Sequence, residues 1–480
     1  MAQNTTPPTG SPVPLREGEA LSLTIESMGA AGVGVARHEG FTVLVARGLP
    51  GERVRAHINR VHPRHAMAHV QAVETASPAR MEPVCPHFAD CGGCDWQHLD
   101  YAAQLAGKAA VLGDQLRRIG HLTPPAPLTV HPAPAPYGYR DRVEFSLVET
   151  PEGLQPAFHG LDVGGSGRAP LLPISACHLI PADLMALAQA AAAALAGYRT
   201  GRELPASRIA VQQVLAKDGA PGLALLLHLT AGKAGRTLID RPAPLVDALG
   251  AAYPGLVQIA ATIRPTERQR MDLVVLAGED VLTKAVGDWR FAVAPDGFFQ
   301  VHPAMAHVLA GKVLDAARAL CPAGENGATA PLLLDLYCGV GLFALPLAAA
   351  GYRVVGMERD RHAVRMGREN ARLWGVEGCK FHRVDLGQPQ ELTRIMGEYG
   401  EPALVVLDPP RQGLGKSVVD ELLALGPRHI LYVSCDGGTF ARDAARLAPR
   451  YALTALEGLD MFPQTHHLEI LGTFTASPPE

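Results

Sequence analysis

The segment ILYVSCDGGTFARD brings an apolar, β-prone run to its end at Cys435, which places one thiol at a strand terminus instead of inside the core. Such a thiol is a candidate nucleophile, although with an ordinary pKa of about 8.5 it is only ~3% thiolate at pH 7 and needs an activating cation, helix N-terminus or proton acceptor. Asp408-Pro409-Pro410-Arg411 follows an earlier apolar run, ALVVL, and sets a carboxylate and a rigid Pro-Pro wall at the edge of a sheet where ligands bind. Farther on, DMFPQTHHLEI supplies Glu469 as a candidate base, with His466 and His467 beside it and His467 the better placed of the two. A strand-end cysteine is by default a small buried hydrophobe, the expectation held for Cys321 and Cys379. Its position downstream of the DPPR segment sets Cys435 apart.

A second set of residues has the pattern of a cofactor pocket. LLLDLYCGVGLFALPLA reads as a strand through Asp335 and Tyr337, a turn with Gly339 and Gly341, then a helix, which brings backbone N–H groups to a ligand at a strand end. The complete dinucleotide fingerprint is missing, and the shorter glycine turn suits S-adenosylmethionine, whose sulfonium and amino-acid moiety need no pyrophosphate cradle. Glu358 ends the next strand, where a carboxylate can accept from both ribose hydroxyls. Asp385 follows the third strand and is a candidate partner for the adenine amino group.

Of eight cysteines, Cys85, Cys91 and Cys94 are bunched in CPHFADCGGCDWQHL, and Cys177, in PISACHLIP, is a plausible fourth ligand. In a reducing compartment this suggests metal before disulfides. Thiolate spacing by itself leaves zinc and an iron–sulfur cubane nearly equal. The C-x3-C-x2-C loop of a radical S-adenosylmethionine enzyme is absent. The loop also carries Trp96, Gln97 and His98, side chains able to stack on or hydrogen-bond to RNA or to pack into a core.

The elements that must hold these residues fall into four stretches. Residues 1–13 form a Pro/Thr-rich tail. Residues 14–76 alternate short strands with Gly and Pro-Gly turns and read as a small β-barrel. Residues 77–290 hold Cys85, Cys91, Cys94 and Cys177, a helix from Asp100 ended by Pro124, Pro125 and Pro127, a Gly-rich turn at 163–167, an Ala-rich helix near 183–197 and several strands, an α+β module. Residues 291–480 alternate apolar strands with helix-length segments, the rhythm of a parallel Rossmann-like sheet. The fold class expected is multidomain α/β.

Composition narrows the classes of function. The 480 residues are 48% hydrophobic and 19% charged, which suits folded domains and excludes general disorder. The longest apolar run, Leu184 to Leu195, is interrupted by Gln189 and is too short to span a bilayer. The amino terminus lacks a basic start and an apolar stretch, so a cytoplasmic protein is expected. A net charge of -4 gives no global nucleic-acid signal, so any RNA site must be local. No 20–50-residue repeat and no obligate protein partner are evident.

DLYCGVG, DPPR, VSC and MFPQTHHLE together resemble the RNA uracil-C5 methyltransferase family, and most closely its bacterial 23S ribosomal RNA branch. The resemblance implies Cys435 as nucleophile and Glu469 as base, with Gln300 (in GFFQVHP), Tyr337, Glu358, Asp385 and Asp408 at S-adenosylmethionine. It also implies a [4Fe–4S] cluster on Cys85, Cys91, Cys94 and Cys177, and GVGVAR with LPGERV resembles the TRAM module, an RNA-binding barrel. Leu342 and Asp436 depart from the family pattern: some members have an Asn that contacts the cofactor at the first place, and Asn is common at the second. Uracil C5 is too weak a nucleophile to take a methyl group from a sulfonium, but thiolate addition at C6 makes an enolate with charge on C5, which explains a cysteine and a base in one site. Arg411 fits neither cytosine-C5 nor amino-methyltransferases. The expected substrate is 23S ribosomal RNA, with a T-loop uridine of transfer RNA as the alternative, and a non-catalytic RNA-binding or assembly protein as the reading of a different class.

Overall fold

The computed structural model describes residues 14–162, 169–263, 272–322 and 330–477. The tail 1–13 and the Gly-rich turn expected at 163–167 lie outside the described residues. Contacts divide the chain into two compact units: Met1–Val111 with His159–Leu172 and Gln464–His466, and Leu112–Phe158 with Pro173–Pro463 and His467–Glu480.

In the first unit, alternating strands close into a five-stranded barrel in the order Ala20–Met28, Gly34–His38, Phe41–Ala46, His65–Thr75, Arg53–Val61. Period-two patterning drives closure. Val54, Ala56 and Ile58 point inward and are fully buried, while Arg53 and Arg55, on either side of Val54, are exposed. Leu23, Ile25, Val43 and Val45 complete the barrel core.

The second unit holds two sheets. The first is mixed, and its path includes Asp272–Gly278, Leu256–Ile263, Pro221–Leu229, Ala206–Leu215, Arg142–Thr150 and Gly153–His159. The strand Trp289–Val293 pairs in it through Leu282–Val286, so this sheet runs past the boundary expected at 290. The other sheet has eight strands, in the order Cys379–Arg383, Arg353–Glu358, Leu332–Leu336, Leu404–Leu407, His429–Ser434, Glu469–Ala476, Tyr451–Leu459, Thr129–His131. Its first five strands are parallel and its sixth antiparallel. Counted along the chain from Leu332–Leu336 to Glu469–Ala476 this is 3-2-1-4-5-7-6, the strand order of a class I methyltransferase. The strand Thr129–His131, short and flanked by prolines, carried too weak a pattern to be expected here.

The helix that begins at Tyr101 runs to Gln115, continues as a wider turn Leu116–Gly120 and stops at His121, whose backbone is left-handed (φ 52°). It ends before the prolines expected to end it. Leu112 and Leu116, near its end, join the core beneath the eight-stranded sheet. That sheet is apolar on both faces, as crossover helices on each side require: Leu333 and Val406 serve one core, Leu334 and Val405 the other.

Candidate active site

Because the five strands are parallel, their carboxyl ends share one edge, and the order reverses between Leu332–Leu336 and Leu404–Leu407, which opens a crevice there. A cavity of about 1070 Å³ occupies this edge, and Gln300, Tyr337, Glu358, Asp385, Asp408, Cys435 and Glu469 all line it. Glu469 arrives by a different route from the others. It is the first residue of the antiparallel strand, and Ile470 pairs with Ser434, so a start at this edge puts Glu469 beside the end that carries Cys435.

Backbone groups build the glycine turn. Tyr337 has φ 65°, and its N–H and that of Cys338 both reach the carbonyl of Met357, at 2.8 and 3.2 Å. Gly341 has φ 98°, and a Cβ there would stand 2.9 Å from Phe381 and 3.0 Å from Leu345. Glu358 accepts from the N–H groups of Asp360 (2.7 Å) and Gly339 (3.3 Å), and Asp385 accepts from Gly387 N–H (3.0 Å). Beneath the turn, Asp335 is fully buried and accepts from Ala344 N–H at 2.9 Å; burial first, and then the charges of Asp408 and Glu358, push its carboxyl far up.

The segment carrying Gln300 is fixed from the mixed sheet. Arg142 donates to the Gly297 carbonyl at 2.6 Å, Asp141 N–H donates to the Val301 carbonyl at 2.9 Å, and Tyr139 stacks on His302 with ring centroids 4.7 Å apart. Asn370 donates to Ala292 and Val340 carbonyls and accepts from Ala292 N–H, tying this segment to the glycine turn. None of these supports carries a motif of its own, so sequence reading missed them.

At the strand ends, burial shifts three titratable groups upward, and Arg411 opposes two of those shifts. Burial pushes the Cys435 thiol up to about 11, Glu469 and Asp408 push in the same direction, and Arg411 opposes them. Burial also raises Asp408, to about 7, and raises Glu469 well above the carboxylate range; Asp408 adds to the rise at Glu469 and Arg411 again opposes it. His467 lines the same cavity, whereas His466 belongs to the barrel unit, where its Nδ1 meets Asp95 at 2.6 Å. Leu342 lines the cavity as a buried apolar residue. Asp436, the other departure from the family pattern, caps the helix Gly437–Leu447 by accepting from Thr439 N–H at 2.7 Å, a task Asn performs equally well. Cys321 and Cys379 are buried, as expected of structural cysteines.

Cys85, Cys91 and Cys94 lie in the barrel unit and Cys177 in the other. Gly93 N–H reaches Cys91 Sγ and Gln97 Nε2 reaches Cys94 Sγ, each at 3.3 Å, while Gln97 Oε1 accepts from Cys85 N–H at 3.2 Å. Arg47 donates to the carbonyls of Phe88, Cys91, Cys94 and Asp95 and lies over the Phe88 ring. Among the described residues no three His, Cys, Asp or Glu side chains are gathered to hold one metal ion. Trp96, expected as an RNA-stacking or core residue, is core: it is 1% exposed and its indole N–H donates to Gly32 at 2.9 Å. His98 is buried as well.

Two relatives span nearly the whole chain. An uncharacterized RNA methyltransferase of Nitratidesulfovibrio vulgaris is 33% identical over 462 residues, covering 94% of this chain and 95% of its own. One from Thermosynechococcus vestitus is 32% identical over 480 residues, covering 96% and 99%. The tRNA (Uracil-5-)-methyltransferase family model matches residues 324–475, the part that holds the glycine turn, the DPPR segment, Cys435 and Glu469. The chain belongs to a family of RNA methyltransferases. The TRAM domain model matches residues 14–70 of this RNA methyltransferase, the stretch that closes into the barrel. In fold it matches the Pyrococcus abyssi tRNA (uracil-54, C5)-methyltransferase, solved with S-adenosyl-L-homocysteine, with TM-score 0.67, 21% identity, and coverage of 95% of this chain and 100% of that one. Among the described residues no helix is long and apolar enough to cross a membrane.

Proposed function

We propose that this enzyme transfers the methyl group of S-adenosylmethionine to C5 of one uridine, with Cys435 as nucleophile and Glu469 as base. The observation that carries the reading is the meeting of thiol, buried carboxyl and Arg411 in one cavity that also holds Glu358 and Asp385. The cavity fits the cofactor: it has Glu358 and Asp385 as carboxyls for ribose and adenine and a glycine turn for the amino-acid end. Gln300, Tyr337 and Asp408 complete that wall. When bound, the cofactor supplies an electrophilic methyl group.

The rest follows from the chain's own groups. Cys435, its proton lost to solvent, adds through Sγ to uracil C6, and the electron pair of the C5–C6 double bond moves to C5 as an enolate. C5 then takes the methyl group. The carboxylate form of Glu469, which Arg411 favours against burial, removes the C5 proton, and the pair released expels Cys435 and restores the double bond. Arg411 favours the ionised form of each group in the step that needs it.

The substrate we favour is 23S ribosomal RNA. Transfer RNA is the second reading, because the matching family model and the similar fold both bear transfer-RNA names. Incubation with RNA containing 5-fluorouridine should trap a denaturation-stable adduct on wild type and none on Cys435→Ala, since fluorine at C5 denies the base its proton. Mapping 5-methyluridine in both RNAs from a deletion strain decides the target: loss from ribosomal RNA supports it, and loss from transfer RNA alone overturns it.

For the cysteines we propose a [4Fe–4S] cluster held by Cys85, Cys91, Cys94 and Cys177. The donor chemistry fits, since two N–H groups reach the sulfurs and a buried guanidinium braces the loop. Four thiolates complete a cubane with one cysteine per iron. Its role would be to brace the loop. Iron and sulfide content near four per chain, lost in Cys91→Ser, is expected; zinc at one per chain would overturn it.

A further inference from the structure

Arg411 is the one side chain that opposes the upward shift of both Cys435 and Glu469. It therefore matters what sets its position. The segment after Asp408 is a tight turn in which Gly413 N–H donates to the Pro410 carbonyl at 2.7 Å, leaving Arg411 and Gln412 as its central residues. Gly413 has φ 73°, and a Cβ there would overlap Asp443 Oδ2.

Asp443 lies in the helix Gly437–Leu447 that follows Cys435, and it is 0% exposed. Its Oδ2 accepts from Leu414 N–H at 2.8 Å and from the Tyr432 hydroxyl at 3.0 Å. Arg442 and Arg446 donate to the same carboxylate, at 3.0 and 3.2 Å on Oδ1. Arg442 also donates to the Gln412 carbonyl at 2.7 Å. Tyr432 stands three residues before Cys435 on its own strand. One buried carboxylate thus joins the turn that carries Arg411, the strand that delivers Cys435 and the helix behind both. A buried carboxylate with this many donors is a rigid hub, because losing any partner leaves charge unpaired in a low-dielectric setting.

We propose that Asp443 is a positioning residue for the methyl transfer: it locks the Pro410–Gly413 turn so that the Arg411 guanidinium faces the Cys435 strand end. The inference rests on the nucleophile reading above. The test is the single-turnover rate of adduct formation with 5-fluorouridine RNA as a function of pH, in Asp443→Asn, Arg411→Gln and the double variant.

If Asp443 acts through Arg411, each single variant moves the pH midpoint of adduct formation upward by about 1 unit or more, and the double variant moves it no further. A lower active fraction with an unmoved midpoint overturns the proposal, as do additive shifts. Should Asp443→Asn fail to fold, Arg442→Gln, which removes the grip on Gln412, must show a smaller shift in the same direction, and no shift there is equally fatal. Absence of any wild-type adduct would instead sink the nucleophile reading, and this proposal with it.

Discussion

At the residue scale the site is a balance of buried charges. Cys435, Asp408 and Glu469 are all raised by burial, and Arg411 is the cation that opposes the rise at Cys435 and Glu469. Replacing Glu469 with Gln removes the base but leaves the thiol, so methylated RNA should accumulate as a covalent adduct while turnover falls by about 10²–10⁴-fold. Gel-shifted protein after denaturation, with uridine RNA as substrate, measures this; a variant that turns over without adduct would show that another group takes the proton. The thiol's position near 11 gives a second expectation. Adduct formation should rise roughly tenfold per pH unit between about pH 6 and 8, because only the thiolate adds. Asp436 belongs to this scale too: Asp436→Ala should cost about 1 kcal/mol of stability through the lost cap, and Asp436→Asn almost nothing, by thermal unfolding.

At the element scale, parallel strands and tight turns determine which side chains share the cavity. The glycine turn admits no side chain at Gly341, where φ is 98° and Phe381 and Leu345 close in. Gly341→Ala is therefore expected to weaken S-adenosylmethionine binding by at least about tenfold, measured by calorimetry, with a smaller loss of thermal stability. Equal affinity would mean that the turn adjusts without cost. The antiparallel strand Glu469–Ala476 has the complementary role, since its reversed direction is what returns a carboxyl to the end that the parallel strands present.

At the scale of the whole molecule, buried carboxyls link stability to pH. Asp335, Asp408 and Glu469 have folded pKa values above their unfolded ones, so the stability each contributes is present at low pH and lost as pH rises through the folded value. His98 and His302, lowered by burial, act oppositely, but only below about pH 6.5, where the unfolded imidazole is protonated. Between about pH 6.5 and 7.5, above the histidine range and through the Asp408 value, Tm of the ligand-free enzyme should fall. Asp408, raised to about 7, accounts for a share of that slope, so Asp408→Asn should flatten it. S-adenosylmethionine, with its sulfonium, should raise Tm more at pH 8 than at pH 6, and S-adenosylhomocysteine, lacking that charge, should show a smaller pH dependence.

Local patterning was enough to identify the barrel, the parallel sheet and the strand ends carrying Tyr337, Glu358, Asp408 and Cys435. Period-two alternation and doubly apolar strands are properties of neighbouring residues, and a strand's carboxyl end follows from its direction along the chain. The motif segments likewise marked Glu469 and the cysteine cluster. What remained hidden depends on residues far apart in sequence. The strand Thr129–His131 joins a sheet formed some 200 residues later, and its three residues carry no pattern of their own. Asn370, Arg142 and Asp443 look like ordinary helix or strand polar residues until the packing buries them against backbone groups of distant segments. The division of His466 from His467, and the cation that opposes the upward shift of the thiol, were decided in the same way: charge and burial are set by what the completed fold brings close, and no local window contains that information.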